Sequence, residues 1–440
     1  MRRILLPALA CGLSFAMLSP GLTAGPKVEK APAVAGLGWS EDRPTGDERD
    51  PGRIIVSTDA GLADTERLSV VKSLILDWTP ITDAGLAHIR RLPQLQALSL
   101  VHTKVTDAGI EHLKGLARLE LLDLGRTEIT DAGLRHLEGM TQLKELDLAD
   151  TQVTNAGLVH LEGLVGLRSL NLLGTKVTSG GLRHLKRLIH LRSLGFQFAP
   201  VTDAELASLE ALVELRGPLI LDGKEVTDAG LEHLKGLVQL QGLTLYSAMG
   251  ITDAGLAHLE GLTQLQSLDL RDARMVGDAG LEHLKALAQL RLLRLEVAVR
   301  VTDGGLKHLA GLRNLRELSL CYAKIAGDGL VHLRKLSHLQ ALDLGQTQVT
   351  DDGLEHLKEL TELRQLNLER TGVTDAGLAR LKGLTKLESL VVWGTDVSDA
   401  GLAHLRGLAK LRFLSLDHTK VTAEGLAKLR EALPKCEIHP

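Results

Sequence analysis

The residue types that could carry out catalysis are few in this 440-residue chain. A thiol nucleophile at Cys321 would need a histidine base, and His102 and His418 are predicted elsewhere on the same face. The chain consists of repeats of 24 to 25 residues, and His102 and His418 lie about nine and four repeats from Cys321. At roughly 4.8 Å per repeat, both histidines are far beyond hydrogen-bond reach of the thiol. No phosphate-binding loop, HExxH, GxSxG or CxxC motif occurs either. The sequence therefore predicts a protein that is not an enzyme, without catalytic residues, cofactor or bound metal.

Aromatic residues make up only 2% of the chain, so the placement of each one is informative. Those in the repeats all fall in the window x-L-x-L-x-x, namely Trp78, Phe196, Phe198, Tyr246, Tyr322, Trp393 and Phe413. Phe196 replaces a leucine and is expected in the core, whereas the other six occupy variable positions. Aromatic side chains on a rigid, open sheet anchor partners well, because little side-chain entropy is lost on binding. The alternative is that they only cover the sheet.

A central section departs from the regular repeat. Outside it, nine turns carry Thr two residues before the next repeat begins, whereas six turns between Ala199 and Ala323 do not, and the period lengthens from 24 to 25 residues between Val201 and Val301. The extra residue is expected after the strand, at the rim. We interpret the section as a modified binding region, with neutral drift as the alternative. The predicted partner-binding residues are Trp78, Phe198, Tyr246, Arg271, Asp272, Arg294, Tyr322, Trp393 and Phe413.

The repeat itself predicts the fold. Each unit has a short strand, such as Leu122-Asp123-Leu124, whose leucines point inward. A turn and the segment VTDAGLxHLxxL follow, with apolar residues at helical spacing and a Thr or Asp that caps the first turn. One unit cannot bury both faces, so stacked units form a continuous leucine core. We expect an α/β solenoid of about 15 to 16 repeats over residues 54–440, with a parallel concave sheet and convex helices.

Two further side-chain series favour structural roles. Asp123 and Asp147 should lie side by side on neighbouring strands, which is a common consequence of the LDL motif rather than a metal site. Histidine recurs in GLxHL, but Ser208, Arg380 and Lys428 replace it elsewhere. We interpret the histidines as products of repeat duplication.

The N-terminal residues have a different composition. Residues 1–24 combine Arg2 and Arg3, an apolar run and small residues near Ala24, which is typical of a secretory signal. Residues 25–53 are rich in proline, glycine and charge and predict a disordered linker. We therefore expect an exported protein that is periplasmic, cell-surface or secreted, with membrane contact only through an N-terminal anchor. The net charge of −4 and the lack of basic stripes argue against nucleic acid.

The phrase LxLxxTxVTDAGL resembles the repeats of bacterial exported leucine-rich-repeat proteins. It is also similar to the cysteine-containing ITDxGL repeats of F-box proteins, although Thr103, Thr127 and Thr151 stand where those carry cysteine, and residues 1–53 leave no room for an F-box. The resemblance implies an exported recognition scaffold that binds a protein, peptide or glycan on its concave face. An F-box-like adaptor of a ubiquitin ligase is the first alternative, and a purely structural spacer is the second.

Overall fold

The computed structural model describes residues 56–64, 68–196 and 200–439. The predicted signal (1–24), the linker (25–53) and Phe198 lie outside these ranges. Within them, no helix combines the length and apolar character needed to cross a membrane.

Short parallel strands recur along the chain. They are β1 Ser73–Ile75, β2 Ala97–Ser99, β3 Leu121–Asp123, β4 Glu145–Asp147, β5 Ser169–Asn171, β6 Ser193–Gly195, β7 Pro200–Thr202, β8 Leu219–Glu225, β9 Gly242–Tyr246, β10 Ser267–Leu270, β11 Leu292–Arg294, β12 Glu317–Ser319, β13 Ala341–Asp343, β14 Gln365–Asn367, β15 Ser389–Val391, β16 Phe413–Ser415 and β17 Glu437–His439. Strands β1 to β6 form one sheet in chain order, and β7 to β17 form another, also in chain order.

Short helices lie between the strands. The α-helices are Asp59–Leu62, Asp83–Ile89, Asp107–Ile110, Asp131–Leu134, Asp203–Ala207, Asp228–Leu234, Asp253–Ala257, Asp278–His283, Asp351–Leu354, Asp375–Leu381, Asp399–Leu405 and Ala423–Ala432. The 3-10 helices are Glu111–Leu113, Arg135–Leu137, Gly157–Leu161, Ser179–His184, Asp303–Leu309, Asp328–Leu333 and Glu355–Leu357. Both strand leucines of a repeat are fully buried, as Leu122 and Leu124 show. The predicted α/β leucine-rich-repeat solenoid is confirmed.

A carboxylate connects each regular repeat to the next. Asp107 begins its helix, and its Oδ1 and Oδ2 accept hydrogen bonds from N and Oγ1 of Thr130 in the following repeat, at 2.8 and 2.5 Å. Thr130 Oγ1 in turn accepts from the Ala132 N–H at 3.2 Å and caps its own helix. The sequence argument assigned the capping role to the threonine or the aspartate, and here the threonine has it. The aspartate bonds to the neighbouring repeat instead.

The turn after the strand also has a recurring structure in most repeats. Its first residue is left-handed, as at Arg126 (φ 56°), and the next threonine, Thr127, donates its hydroxyl hydrogen to the Leu124 carbonyl at 2.5 Å. Buried Ala248 occupies the equivalent position in a 25-residue repeat, and exposed Met249 follows it. The extra residue therefore lies at the rim in that repeat, as expected.

One lengthened repeat differs from this expectation. Between Val201 and Val226 the extra residue comes before the strand, where Gly217 and Pro218 precede the buried Leu219 and Leu221. Proline has no N–H to donate to a neighbouring strand, so regular pairing cannot begin at Pro218.

The described residues form two compact units. One comprises the described residues up to Glu225 with His233–Leu243, and the other comprises Val226–Glu232 with Thr244 onward.

Candidate functional site

Three rows of side chains run across the strands on one face of each sheet, which we call the sheet face. The middle row holds the residue between the two strand leucines, and parallel pairing aligns Asp269 with Arg294, Arg294 with Ser319, and Ser319 with Asp343. The leading row lies two residues earlier and the trailing row two residues later, because side chains of a strand alternate between its faces.

A charged network occupies the sheet face at β10–β12. The Arg294 guanidinium spans three strands, with Nη1 at 3.4 Å from Asp269 Oδ2 and Nε at 2.6 Å from Glu317 Oε1. Arg271 Nε lies 3.3 Å from the same Asp269 carboxylate, and the Arg271 guanidinium lies 4.9 Å from the ring centre of Tyr246. Tyr246, Arg271 and Arg294, which the sequence predicts to bind a partner, therefore lie in one cluster.

The predicted aromatic residues near the C-terminal end also have stacking partners. The Arg370 guanidinium lies 4.1 Å from the ring centre of Trp393, and His418 packs edge-on to the same ring at 5.4 Å. Phe413 stacks with His439 at 5.1 Å. Both rings are partly exposed, and each contacts side chains of neighbouring repeats.

Carboxylates with raised pKa values follow the network along the sheet face. Burial raises the pKa of Asp343, with Glu296 and Glu369 adding to the effect, to about 7. Burial also raises the pKa values of Glu296 and Glu369. Asp269 has a raised pKa as well, because its burial outweighs the attraction of Arg271 and Arg294.

Tyr322 lies beside these carboxylates. It follows β12 with a left-handed backbone (φ 66°), and its hydroxyl oxygen is buried without a hydrogen-bond partner among the described residues. Burial raises its pKa, and the charges of Glu369 and Asp343 contribute in the same direction. The hydroxyl is thus close enough to respond to both carboxylates without bonding to them.

Trp78 belongs to the other compact unit. It is 64% exposed, follows the edge strand β1 and has a left-handed backbone (φ 60°). Its ring stacks on His102 at 4.2 Å, and the Arg126 guanidinium lies 5.9 Å from it. Exposed Ile75 is also on β1. Trp78 is therefore an accessible aromatic residue supported by two neighbours.

The remaining predictions have mixed outcomes. Phe198 lies outside the described residues, and Phe196 is half-buried beside Leu194 rather than fully in the core. Asp272 pairs locally with Arg274 at 3.1 Å.

Sequence reasoning paired Asp269 with Arg294 but did not select it for the site, and it missed several other residues that surround the predicted ones: Glu296, Glu317, Asp343, Glu369 and Arg370. The signal that could have found them was present, because they share strand offsets with the residues that were selected.

The series that were interpreted as structural make contacts within the fold. Asp123 aligns with Asp147, and Asn171 Nδ2 donates to Asp147 Oδ2 at 3.0 Å. Four of the repeated histidines, His160, His184, His233 and His283, contact glutamates of the preceding repeat, as His184 Nδ1 does with Glu162 at 2.6 Å. No three His, Cys, Asp or Glu side chains in the described ranges are arranged to hold a metal ion. The Cys321 side chain is completely buried.

Comparison with known proteins agrees with the fold. Residues 93–153 match a family model described as leucine rich repeat, and residues 335–358 match a second model with that description. A leucine-rich-repeat protein of Leptospira interrogans is similar in structure, with a TM-score of 0.59 and 20% identity over 85% of this chain and 91% of that chain. A structure described as a TDR receptor gives a TM-score of 0.50 and 17% identity, over 85% of this chain and 60% of that chain.

An internalin from Listeria monocytogenes has 22% identity and a TM-score of 0.45, over 85% of this chain and 88% of that chain. No curated protein sequence matches the chain. The leucine-rich-repeat models thus match two stretches of the chain, and its fold is that of the similar leucine-rich-repeat structure.

Proposed function

We propose that the chain is an exported, non-enzymatic recognition scaffold that binds a protein or peptide on its sheet face between β9 and β16. The observation that carries this proposal is the stacking of its partly exposed aromatic residues. Tyr246 packs against Arg271, and Trp393 packs against Arg370 and His418. Aromatic and arginine side chains that are ordered before binding lose little entropy on binding, and both types dominate binding energy at interfaces.

The alternative of a structural spacer makes a different prediction. Aromatic residues that only cover the sheet would contribute to stability and not to capture of a partner. The variant Tyr246→Ala, Trp393→Ala, Phe413→Ala tests this in the full chain. We expect it to lose a partner that the unaltered protein captures from its native source, with each captured protein identified by mass spectrometry.

A matched control keeps the comparison specific. Val165, Ile189 and Val213 are apolar, exposed by 42%, 47% and 49%, and lie away from the sheet face. Their replacement by alanine should leave capture intact. Circular dichroism of both variants verifies folding. Equal capture by the aromatic variant and the unaltered protein would support the spacer.

Export is the second part of the proposal and rests on the composition of residues 1–24. Mass spectrometry of the mature N-terminus from fractionated native cells tests it. We expect a start near Gly25 in an extracytoplasmic fraction. An intact Met1 in the cytosol would contradict export and favour the F-box-like adaptor. Glycan binding, the other ligand class that the sequence suggests, is tested by the same variants on a glycan array.

A further inference from the structure

The first repeat exposes apolar side chains at the edge of its sheet. Strand β1 is the edge strand, and its one strand neighbour among the described residues is β2. In this repeat Val70 is 79% exposed, Ile75 58% and Trp78 64%, and we call these three residues the N-terminal patch. Every other exposed large apolar side chain in the described ranges is less than half exposed. The patch therefore stands out from the rest of the surface.

The exposure of Ile75 follows from the lack of a strand before β1 in the described ranges. Ile75 belongs to the middle row, where parallel pairing aligns it with Ser99 on β2 and then with Asp123 on β3. Ser99 and Asp123 are each 3% exposed, because a strand lies on both sides of them. Val71 shows the same effect, since it occupies the position of the fully buried Leu95 but is partly exposed.

The repeat pattern does not provide the covering strand. At the repeat spacing, residues 50–52 take the strand position before β1, with Asp50 and Gly52 in place of the two leucines and Pro51 between them. Aspartate and glycine offer no apolar side chain to the core, and proline has no N–H to donate to a neighbouring strand. The sequence therefore predicts that the regular array begins at β1 and that its edge is covered by something else.

The C-terminal edge of the other sheet has a polar surface instead. Its last strand, β17, buries Ile438 and exposes Glu437 and His439. The last helix exposes an ion pair between Lys428 and Glu424 at 2.6 Å. Solenoids need terminal units with a polar outer face to stay soluble. The described residues meet this requirement at β17, whereas β1 presents an apolar edge.

The residues before the array include one stretch that matches the patch in chemistry. Eleven of residues 25–55 are charged, yet the sequence APAVAGLGW at residues 31–39 has no charge. We call it the apolar segment, and its large side chains are Val34, Leu37 and Trp39. It follows the predicted signal (1–24), so it remains in the chain after cleavage there.

The apolar segment is close enough along the chain to reach β1. Sixteen residues, 40–55, join it to Val56, which is buried in the first repeat. A flexible chain of that length spans roughly 22 Å on average, whereas packed layers of a fold lie about 10 Å apart. Such a tether also gives an effective concentration in the millimolar range. This favours the chain's own segment over a second copy at micromolar protein concentration.

We propose that the apolar segment, residues 31–39, packs against the N-terminal patch and covers the edge of β1. Val34, Leu37 and Trp39 are the contacting side chains, because removing both apolar surfaces from water is favourable. Residues 40–53 then form the tether, which narrows the linker predicted for residues 25–53. This inference is independent of the binding function proposed for the sheet face between β9 and β16.

Amide hydrogen exchange of the full chain tests the contact. The segment variant Val34→Ser, Leu37→Ser, Trp39→Ser should speed exchange in β1 at least about tenfold and leave β3 unchanged. Val28→Ser with Pro44→Ser alters the same region outside the apolar segment and should match the unaltered protein. Unchanged exchange of β1 in the segment variant would overturn the proposal. Equal acceleration in both variants would overturn it too, since it would show a general effect of the linker.

Limited proteolysis gives the reciprocal test. Chymotrypsin cleavage after Trp39 should be at least about tenfold faster in Val70→Ser, Ile75→Ser than in the unaltered full chain, because the covered segment is released. Trypsin cleavage after Arg49, in the tether, should be equal in the two proteins. Circular dichroism verifies that the variant is folded. Cleavage after Trp39 at the same rate in both proteins would contradict the contact.

Sedimentation equilibrium distinguishes a second copy as the occupant of the edge. We expect Ile75→Ser to leave the molecular mass of the full chain unchanged, since the contact lies within one chain. A dimer that Ile75→Ser dissociates and the segment variant retains would show that β1 is covered by another molecule. That result would overturn the proposal.

Discussion

The Asp351 carboxylate occupies the space that a side chain at Gly377 would need. Asp351 Oδ1 and Oδ2 accept hydrogen bonds from N and Oγ1 of Thr374 at 2.8 and 2.7 Å, and a Cβ built on Gly377 would lie 2.3 Å from Oδ1. The aspartate and the glycine of VTDAGL recur in successive repeats, and the aspartate of one repeat contacts the glycine of the next. The glycine is required by the aspartate of the repeat before it.

Gly377→Ala should therefore destabilise the array. The new methyl group would displace the Asp351 carboxylate or the nearby Val373 side chain, at an expected cost of about 2 kcal/mol. Gly383→Ala is the matched control, since a Cβ there meets nothing within 4 Å, and its effect should be close to zero. Urea unfolding followed by circular dichroism measures both. Similar losses for the two variants would refute the contact as the cause.

Asp399 provides a pH test of the same contact. Hydrogen bonds from the Thr422 hydroxyl and N–H lower the pKa of Asp399. The contact is therefore present above the ordinary pKa of 3.8 and is lost as the pH falls through the lower folded-state pKa. NMR titration of the carboxyl carbon should show the Asp399 pKa move upward in Thr422→Val. Thr422→Ser keeps the hydroxyl and should preserve the low value.

Asp343 should make stability depend on pH in the opposite direction. Its folded-state pKa, raised from 3.8 to about 7, favours the protonated form in the folded chain. This stabilisation is complete below pH 4 and disappears as the pH rises through 7, a change of roughly 2 to 3 kcal/mol between pH 5 and 8. Asp343→Asn should flatten that dependence in urea unfolding, whereas the exposed Glu431→Gln should not. An unchanged slope in Asp343→Asn would contradict the assignment.

Arg294 should be important for the stability of the sheet face. Arg294→Met leaves Asp269 and Glu317 without their shared cation and should cost about 2 kcal/mol. The triple variant Asp269→Asn, Arg294→Met, Glu317→Gln removes the uncompensated charge and should recover most of the loss. Amide hydrogen exchange of β10–β12 gives the local readout. Arg334→Met, which affects an exposed pair with Glu359, should change exchange little.

Much of the fold follows from the sequence alone. The 24-residue spacing of leucines and VTDAGL predicted the parallel strands, the short helices and the buried core, because each repeat must cover the apolar face of the next. The offsets from the leucines also placed Tyr246, Arg271, Arg294, Trp393 and Phe413 on the sheet face. A period-two strand allows no other orientation for these positions.

Only the tertiary structure decided which of these side chains contact each other. The bridge from Arg294 to Asp269 and Glu317 joins residues 23 to 25 positions apart, and it depends on strand register and on rotamers that no spacing specifies. The role of the repeated aspartate was also hidden, since Asp107 can cap its own helix or bond to Thr130, and close stacking of the repeats selects the second. Likewise, a tyrosine in a sequence does not reveal that the Tyr322 hydroxyl is buried after a left-handed turn without a hydrogen-bond partner among the described residues.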